Sequence, residues 1–239
     1  MKTSDIFELL LLGAIWGTSF LFIRIASPVL GPVWLIEYKV FSGGLFLLAF
    51  VIKLGLIKEI HRNIIPLFIV GFINFAIPFL LYAYASLFLS AGLTSILNAT
   101  TPLFGTVISF IWLKERLTIN RIIGFALGFG GVIVLVGWKT ISVTQSFYLA
   151  VAAGLIAALL EAVAAPYTRK HLSDVSPFVI AAGSQLSAAL VILPFTPFTI
   201  PSQAPTIEII LALSVSNLLC TAFAYILYFR LIKNIGASK

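Results

Sequence analysis

The feature that most constrains this chain is a succession of long apolar runs separated only by short polar punctuation. Eight segments of about membrane-spanning length follow one another, at 9–30, 33–53, 64–88, 93–113, 121–138, 147–167, 176–195 and 206–232. A helix needs roughly 20 apolar residues to cross the hydrocarbon core. Backbone donors and acceptors in lipid have no water to bond, so a run of this kind closes its own hydrogen bonds as a helix. The period-2 alternation of a membrane β-barrel is absent. Composition agrees: 61% of the 239 residues are hydrophobic and 10% are charged. A water-soluble domain carries about 25% charged residues. The fold class read from these runs is an all-α membrane protein, a helical bundle.

The connections carry turn and charge signals: Gly31-Pro32, the 58–63 stretch from Lys58 to Asn63, Lys114-Glu115-Arg116, Lys139-Thr140, Arg169-Lys170-His171, and a stretch with Pro194, Pro197, Pro201 and Pro205. The formal net charge of +7 does not point to nucleic acid, because the basic residues punctuate apolar runs instead of covering a face. They read as topology determinants. With the N-terminus inside, Lys2, Lys53, Lys58, Arg62, Lys114, Arg116, Arg121, Arg169, Lys170, Arg230, Lys233 and Lys239 fall on the cytoplasmic side, twelve of the fifteen. Arg24, Lys39 and Lys139 fall on the outer half. The expectation is a multi-pass protein of the cytoplasmic membrane with a cytoplasmic N-terminus. The run from Ile6 to Ala26 is too long for a signal-peptide core and reads as a retained first helix. The lone Cys220 forms no internal disulfide. His61 and His171 lie in loops with no metal-ligand spacing, so neither metal nor cofactor is expected.

An internal repeat is visible. Trp16 to Arg24 and Glu161 to Arg169 have the same spacing, and Pro32 and Pro177 open the next helix at the same offset. Further on, Phe79, Tyr84 and Gly92 match Phe223, Tyr228 and Gly236. The first unit, 1–138, holds five helices. An odd number flips the second unit, 139–239, in the membrane, which gives an inverted-topology repeat. The second unit holds three helices up to Lys239, so the expectation is eight helices present of ten, with two more in a matching copy.

Leu12-Gly13-Ala14-Ile15-Trp16-Gly17-Thr18-Ser19-Phe20, then Pro102, Lys114-Glu115-Arg116-Leu117-Thr118, and the glycine-rich 124–137 segment together resemble the EamA-type family of the drug/metabolite transporter superfamily. The resemblance covers the whole sequence. It implies a ten-helix inverted-repeat transporter with a central cavity, exporting or exchanging small metabolites without an ATPase module. One departure is that the family usually shows Arg in helix two where this chain has Lys39.

Ionisable residues inside a span are functional candidates, because a charge at the helix centre costs about 2.5–3.5 kcal/mol on insertion scales. Glu161 is the sharpest, about 6 Å to the cytoplasmic side of the midplane at 1.5 Å per residue. No basic residue falls at an obviously similar depth. Such a carboxylate faces water or carries a proton, which makes Glu161 the proton-coupling candidate. Arg24 and Glu37 come out at similar depths on antiparallel neighbours and are expected to form a structural ion pair. Lys39 is about 200° round the helix from Glu37 and cannot share its face. Asn98, Thr101 and Pro102 suggest a polar kink, since proline removes a backbone donor and frees a carbonyl. Trp16, Tyr82, Tyr84, Asn217 and Tyr228 complete the expected cavity lining, with stacking and hydrogen-bonding groups. Gly124, Gly128 and Gly131 form a close-contact face, whose partner is in this chain or in a second copy; a homodimer is left open by that face. The partners expected are a small-molecule substrate and the bilayer. A non-transporting membrane subunit, a truncated fragment and a membrane-embedded lipid-handling protein are the competing readings. No enzyme signature, such as a His-Glu metal motif, Gly-x-Ser-x-Gly or paired intramembrane aspartates, is present.

Overall fold

The computed structural model describes residues 3–113, 123, 124, 126–128, 130, 131, 134, 144–201, 204–224 and 227. These residues form helices, and no strand occurs among them. Among the described residues, five runs are long and apolar enough to cross a bilayer: Ile6–Lys53, Ile64–Phe88, Ala91–Trp112, Gln145–His171 and Pro177–Phe198. A shorter apolar helix, Ile207–Cys220, follows. The predicted 121–138 span, the Lys114–Thr118 turn, the end of the last span with Tyr228, and the match at Gly236 lie wholly or largely outside the described residues.

The first two predicted spans form one element, α1 (Thr3–Lys53). It is broken at Gly31, whose φ of 72° and ψ of 158° suit a residue without a Cβ. Pro28 and Pro32 flank the break. The two arms fold back on each other. Lys39 Nζ donates to Ser19 Oγ at 2.7 Å, although twenty residues of straight helix would hold the two about 30 Å apart.

Short helices α2 (Ile57–Arg62) and α3 (Ile64–Val70) lead into a π-helical turn, Gly71–Ala76, and then α4 (Ile77–Phe88). Pro78 stands in the first turn of α4. A proline two residues beyond the π turn leaves a backbone acceptor without its usual donor, and a widened turn is one way a helix accommodates this. The fourth predicted span is two helices, α5 (Ala91–Asn98) and α6 (Thr101–Leu113). Ser90 caps α5 by accepting from the Leu93 amide at 3.3 Å. The chain continues in α7 (Gln145–His171), capped in the same way by Thr144. Then come α8 (Pro177–Ile192), a 3₁₀ turn Leu193–Phe198, α9 (Ile207–Asn217), and a second π turn, Leu218–Phe223.

Helices from the two ends of the chain interleave. α1 packs most extensively on α8, α4 on α7, α6 on α7, and the first π turn on α8. One core, around Leu35, Ile36, Val40, Ala76, Ala83, Ala188 and Ile192, ties α1, α4 and α8 together. A second, around Leu47, Val51, Leu67, Leu172 and Val179, does the same for the ends of α1, α3 and α8. Small residues make the approach close. An added Cβ on Gly128 would meet Leu103 of α6 at 2.8 Å, so this glycine of the expected close-contact face packs within the chain. Gly124 and Gly131 have open space.

Two expectations are corrected here. Arg24 does not pair with Glu37. Its Nη1 donates to the carbonyl oxygens of Ser86 and of Leu87, the latter at 2.9 Å. Ser27, one turn on, donates to the Ala83 carbonyl at 2.7 Å. The last turn of α4 has carbonyls without intrahelical donors, and a cation is favoured at that end of a helix; equal depth did not decide the partner. Glu37 Oε2 is buried without a hydrogen-bond partner among the described residues. Pro102, in turn, does not kink a continuous helix. The helix breaks before it, at Ala99-Thr100, and Pro102 sits in the first turn of α6, where an amide donor is not needed.

Candidate functional site

The break between α5 and α6 places Asn98 at the end of one helix and Thr101 at the start of the next. Both side chains turn to the carboxylate of Glu161, which α7 presents. Asn98 Nδ2 donates to Glu161 Oε2 at 2.8 Å, Thr101 Oγ1 at 3.3 Å, and the Tyr82 hydroxyl at 3.4 Å. Asn98 also donates to the Tyr82 oxygen at 3.0 Å, closing a ring of three polar groups. Tyr82 is fully buried, and the Phe20 ring lies edge-on to it at 5.5 Å. Glu161 itself is only part-buried. A carboxylate with three neutral donors on one oxygen is held as an acceptor, yet remains within reach of a proton or a ligand.

Of the residues predicted to line a cavity, Tyr82, Asn98, Thr101 and Glu161 thus converge. Pro102 is adjacent and exposed. Tyr84 is not part of the cluster; its ring packs edge-on against Phe88 at 5.3 Å. Tyr228 lies outside the described residues. Trp16 and Asn217 belong to a second polar group around the other π turn. Trp16 Nε1 donates to the Cys220 carbonyl at 3.2 Å. Cys220 Sγ in turn donates to the Ile15 carbonyl at 3.3 Å. Asn217 Nδ2 donates to Ser42 Oγ at 2.5 Å and to the Lys39 carbonyl at 3.4 Å. Beside it, the Tyr38 hydroxyl and Ser214 Oγ are 2.7 Å apart, in a crevice of about 160 Å³.

Lys39 connects the two groups, and sequence reasoning missed it. Its ammonium is bonded to Ser19, lies 4.6 Å from the centre of the Phe79 ring, and is within electrostatic reach of Glu161. Depth counted from the helix ends put Lys39 in the outer half, away from Glu161. The departure from the family's usual Arg was the one available signal.

The sequence model of the EamA-like transporter family matches residues 4–137 and again 148–239. The chain belongs to the EamA-like transporter family. Among its relatives are a Bacillus subtilis protein named as the uncharacterized transporter YoaV, 24% identical over 94% of this chain and 78% of its own length, and an uncharacterized transporter of Archaeoglobus fulgidus, 22% identical over 94% and 79%. Protein PagO of Salmonella typhimurium is 25% identical over 80% of this chain and 63% of its own. A solved crystal structure superposes with a TM-score of 0.72 at 18% identity, covering 95% of this chain and 78% of that one, which speaks for the fold alone. Family and architecture together make this a multi-pass membrane transporter.

Proposed function

We propose that the chain is a secondary transporter, an exporter or exchanger, that moves small metabolites across the cytoplasmic membrane by alternating access with Glu161 as a proton-carrying group. The observation that carries this reading is the Glu161 cluster. Its carboxylate comes from α7, in the second predicted unit, and all three of its donors come from α4, α5 and α6, in the first. Rocking one unit against the other separates the carboxylate from its donors. An acceptor that loses its neutral donors inside a membrane then takes a proton or a ligand donor in their place.

The two-unit reading, 1–138 and 139–239, is supported by the double match of the family model. It is also supported by reciprocal packing: the second arm of α1 lies on α9, and α8 lies on α3 and the first π turn. Mirrored units rocking about a central site are a common basis for alternating access.

The test is reconstitution into liposomes holding a trapped pH-sensitive dye, with pooled labelled amino acids, organic acids, amines and sugars offered outside. Saturable uptake of at least one class is expected, together with proton movement. Glu161→Gln should retain exchange and lose proton movement, whereas Glu161→Asp should keep both at reduced rate. Wild-type pH dependence of net transport in the Gln variant would overturn the role given to Glu161. The orientation rests on the basic residues: a Cys placed in the 196–205 loop should label from outside intact cells, and labelling only after permeabilisation would reverse it.

A further inference from the structure

We propose that Lys39 and Ser19 form a subsite for a carboxylate group of the transported molecule, and that its occupancy is linked to protonation of Glu161. The inference rests on the transporter reading and adds a ligand chemistry to it.

An ammonium has three donors. Ser19 Oγ takes one from Lys39, and the Phe79 ring takes no conventional hydrogen bond. No carboxylate stands within ion-pair distance of Lys39 among the described residues. A cation inside a bundle and without a contacting counter-ion is costly, and the usual reason to find one is function. Since Ser19 accepts from Lys39, its own hydroxyl hydrogen is left to donate to another group. Two kinds of donor therefore stand 2.7 Å apart, close enough to share one carboxylate. Lys39 is itself held, because Asn217 bonds the Lys39 carbonyl and Ser42 on the same stretch of α1. One wall is aromatic, the Phe79 ring under the ammonium. One lysine and one hydroxyl match a singly charged carboxylate. A phosphate, with more charge and more acceptor oxygens, usually draws further cations or arginine forks.

One acid acts on Lys39 electrostatically, Glu161 from α7; the Cys220 thiol of the second π turn keeps its hydrogen, which it donates to the Ile15 carbonyl. Tyr82 is bonded to Glu161. Glu37 is two residues away on α1, on another face. When ionised, Glu161 competes with an incoming carboxylate for the field of Lys39. A proton on Glu161 removes the competitor. Binding of the anion and of the proton therefore favour one another, and by reciprocity each raises the affinity for the other equally.

The experiment is thermal unfolding of the purified chain in detergent, with sodium acetate, acetamide, sodium phosphate or sodium chloride at matched ionic strength. Acetate should raise the unfolding temperature of the wild type and of Lys39→Arg, more so at lower pH. Acetamide, phosphate and chloride should not. Lys39→Gln should lose the shift entirely. Glu161→Gln should keep it and lose its dependence on pH. Should Lys39→Gln fail to fold, Ser19→Ala serves instead and should weaken acetate binding severalfold. No difference between acetate and acetamide in the wild type would overturn the subsite, and so would a Lys39→Gln protein that responds as the wild type does. A phosphate shift equal to that of acetate would overturn the carboxylate assignment. The liposome assay separates the two readings. Acetate binding at Lys39 with no cargo transported sinks the transporter and leaves the subsite. Transport unchanged by Lys39→Gln does the reverse.

Discussion

Gly71 opens the first π turn and lies against α8, where a single added methyl group tests the whole packing argument. A Cβ at this position would run into the carbonyl oxygen of Ser184 and would lie 2.8 Å from Ser187 Cβ and 3.1 Å from the Ala188 amide nitrogen. Two of these three atoms are backbone, so no rotamer change relieves the clash. Nor can Ser187 swing away, since the clashing atom is its Cβ, which the backbone holds in place. The helices must separate. Overpacking of this kind costs about 1–3 kcal/mol, and contact with backbone puts Gly71→Ala near the upper end. Alanine returns about 1 kcal/mol of helix propensity. The net loss is then about 2 kcal/mol, or roughly thirtyfold in the folded ratio.

Two controls make the number interpretable. Gly13→Ala adds a methyl with nothing within 4 Å and should be neutral or slightly stabilising. Gly183→Ala meets the end of the Leu67 side chain at 2.7 Å, which can rotate, so it should fall between. Thermal unfolding in detergent, followed by tryptophan fluorescence, ranks the three. A Gly71→Ala protein as stable as Gly13→Ala would refute the close approach of the first π turn to α8.

At the end of α8 nearest α2, Glu59 Oε2 accepts from the Ser176 amide at 3.0 Å across 117 residues, while the Ser176 hydroxyl makes no cap bond of its own. Glu59→Ala should therefore cost about 1 kcal/mol, the usual value of a helix cap, with Glu59→Gln retaining part of it. Unfolding curves indistinguishable from wild type for the Ala variant would show that the contact carries no energy. Arg24→Gln removes donors from the Ser86 and Leu87 carbonyls and should cost about 1.5–3 kcal/mol, as for a hydrogen bond to a charged group. Glu37→Gln should not reproduce that loss, and equal effects of the two would restore the ion pair.

What the sequence made legible follows from what lipid enforces. Apolar runs in a bilayer must be helices, so the spans from 9 to 113 and from 147 to 195 could be drawn from hydropathy and appear where expected. A lone carboxylate in such a run is conspicuous, and Glu161 is central to the polar cluster. Tyr82, Asn98 and Thr101 were found as polar or aromatic letters in apolar text. What failed was partner assignment. Depth along a span was counted at a uniform rise, but α1 breaks at Gly31, α5 and α6 break at Ala99-Thr100, and two π turns shift the register. Those breaks set which side chains meet. Arg24 was paired with the nearest acid because backbone carbonyls have no letter in a sequence, yet a helix end offers several. Lys39 was missed for a related reason, since its link to Glu161 crosses from α1 to α7, elements far apart in the chain.

The proposed repeat gives the two polar groups a common origin and different chemistry. If the units repeat as proposed, Trp16 and Glu161 occupy equivalent positions in them, and each addresses the third span of the other. Trp16 reaches the Cys220 carbonyl in the second π turn, and Glu161 takes the Tyr82 hydroxyl just beyond the first. The two π turns therefore stand close to matching places, each beside the partner unit's first helix. Only the second unit presents a carboxylate there; the first presents an indole, which donates and cannot titrate. A scaffold with mirrored helices can rock between two equivalent shapes, but a proton taken up at Glu161 has no counterpart at Trp16. On this reading the asymmetry at one pair of equivalent positions couples the movement to a proton, and the gradients across the membrane, not the fold, set its direction.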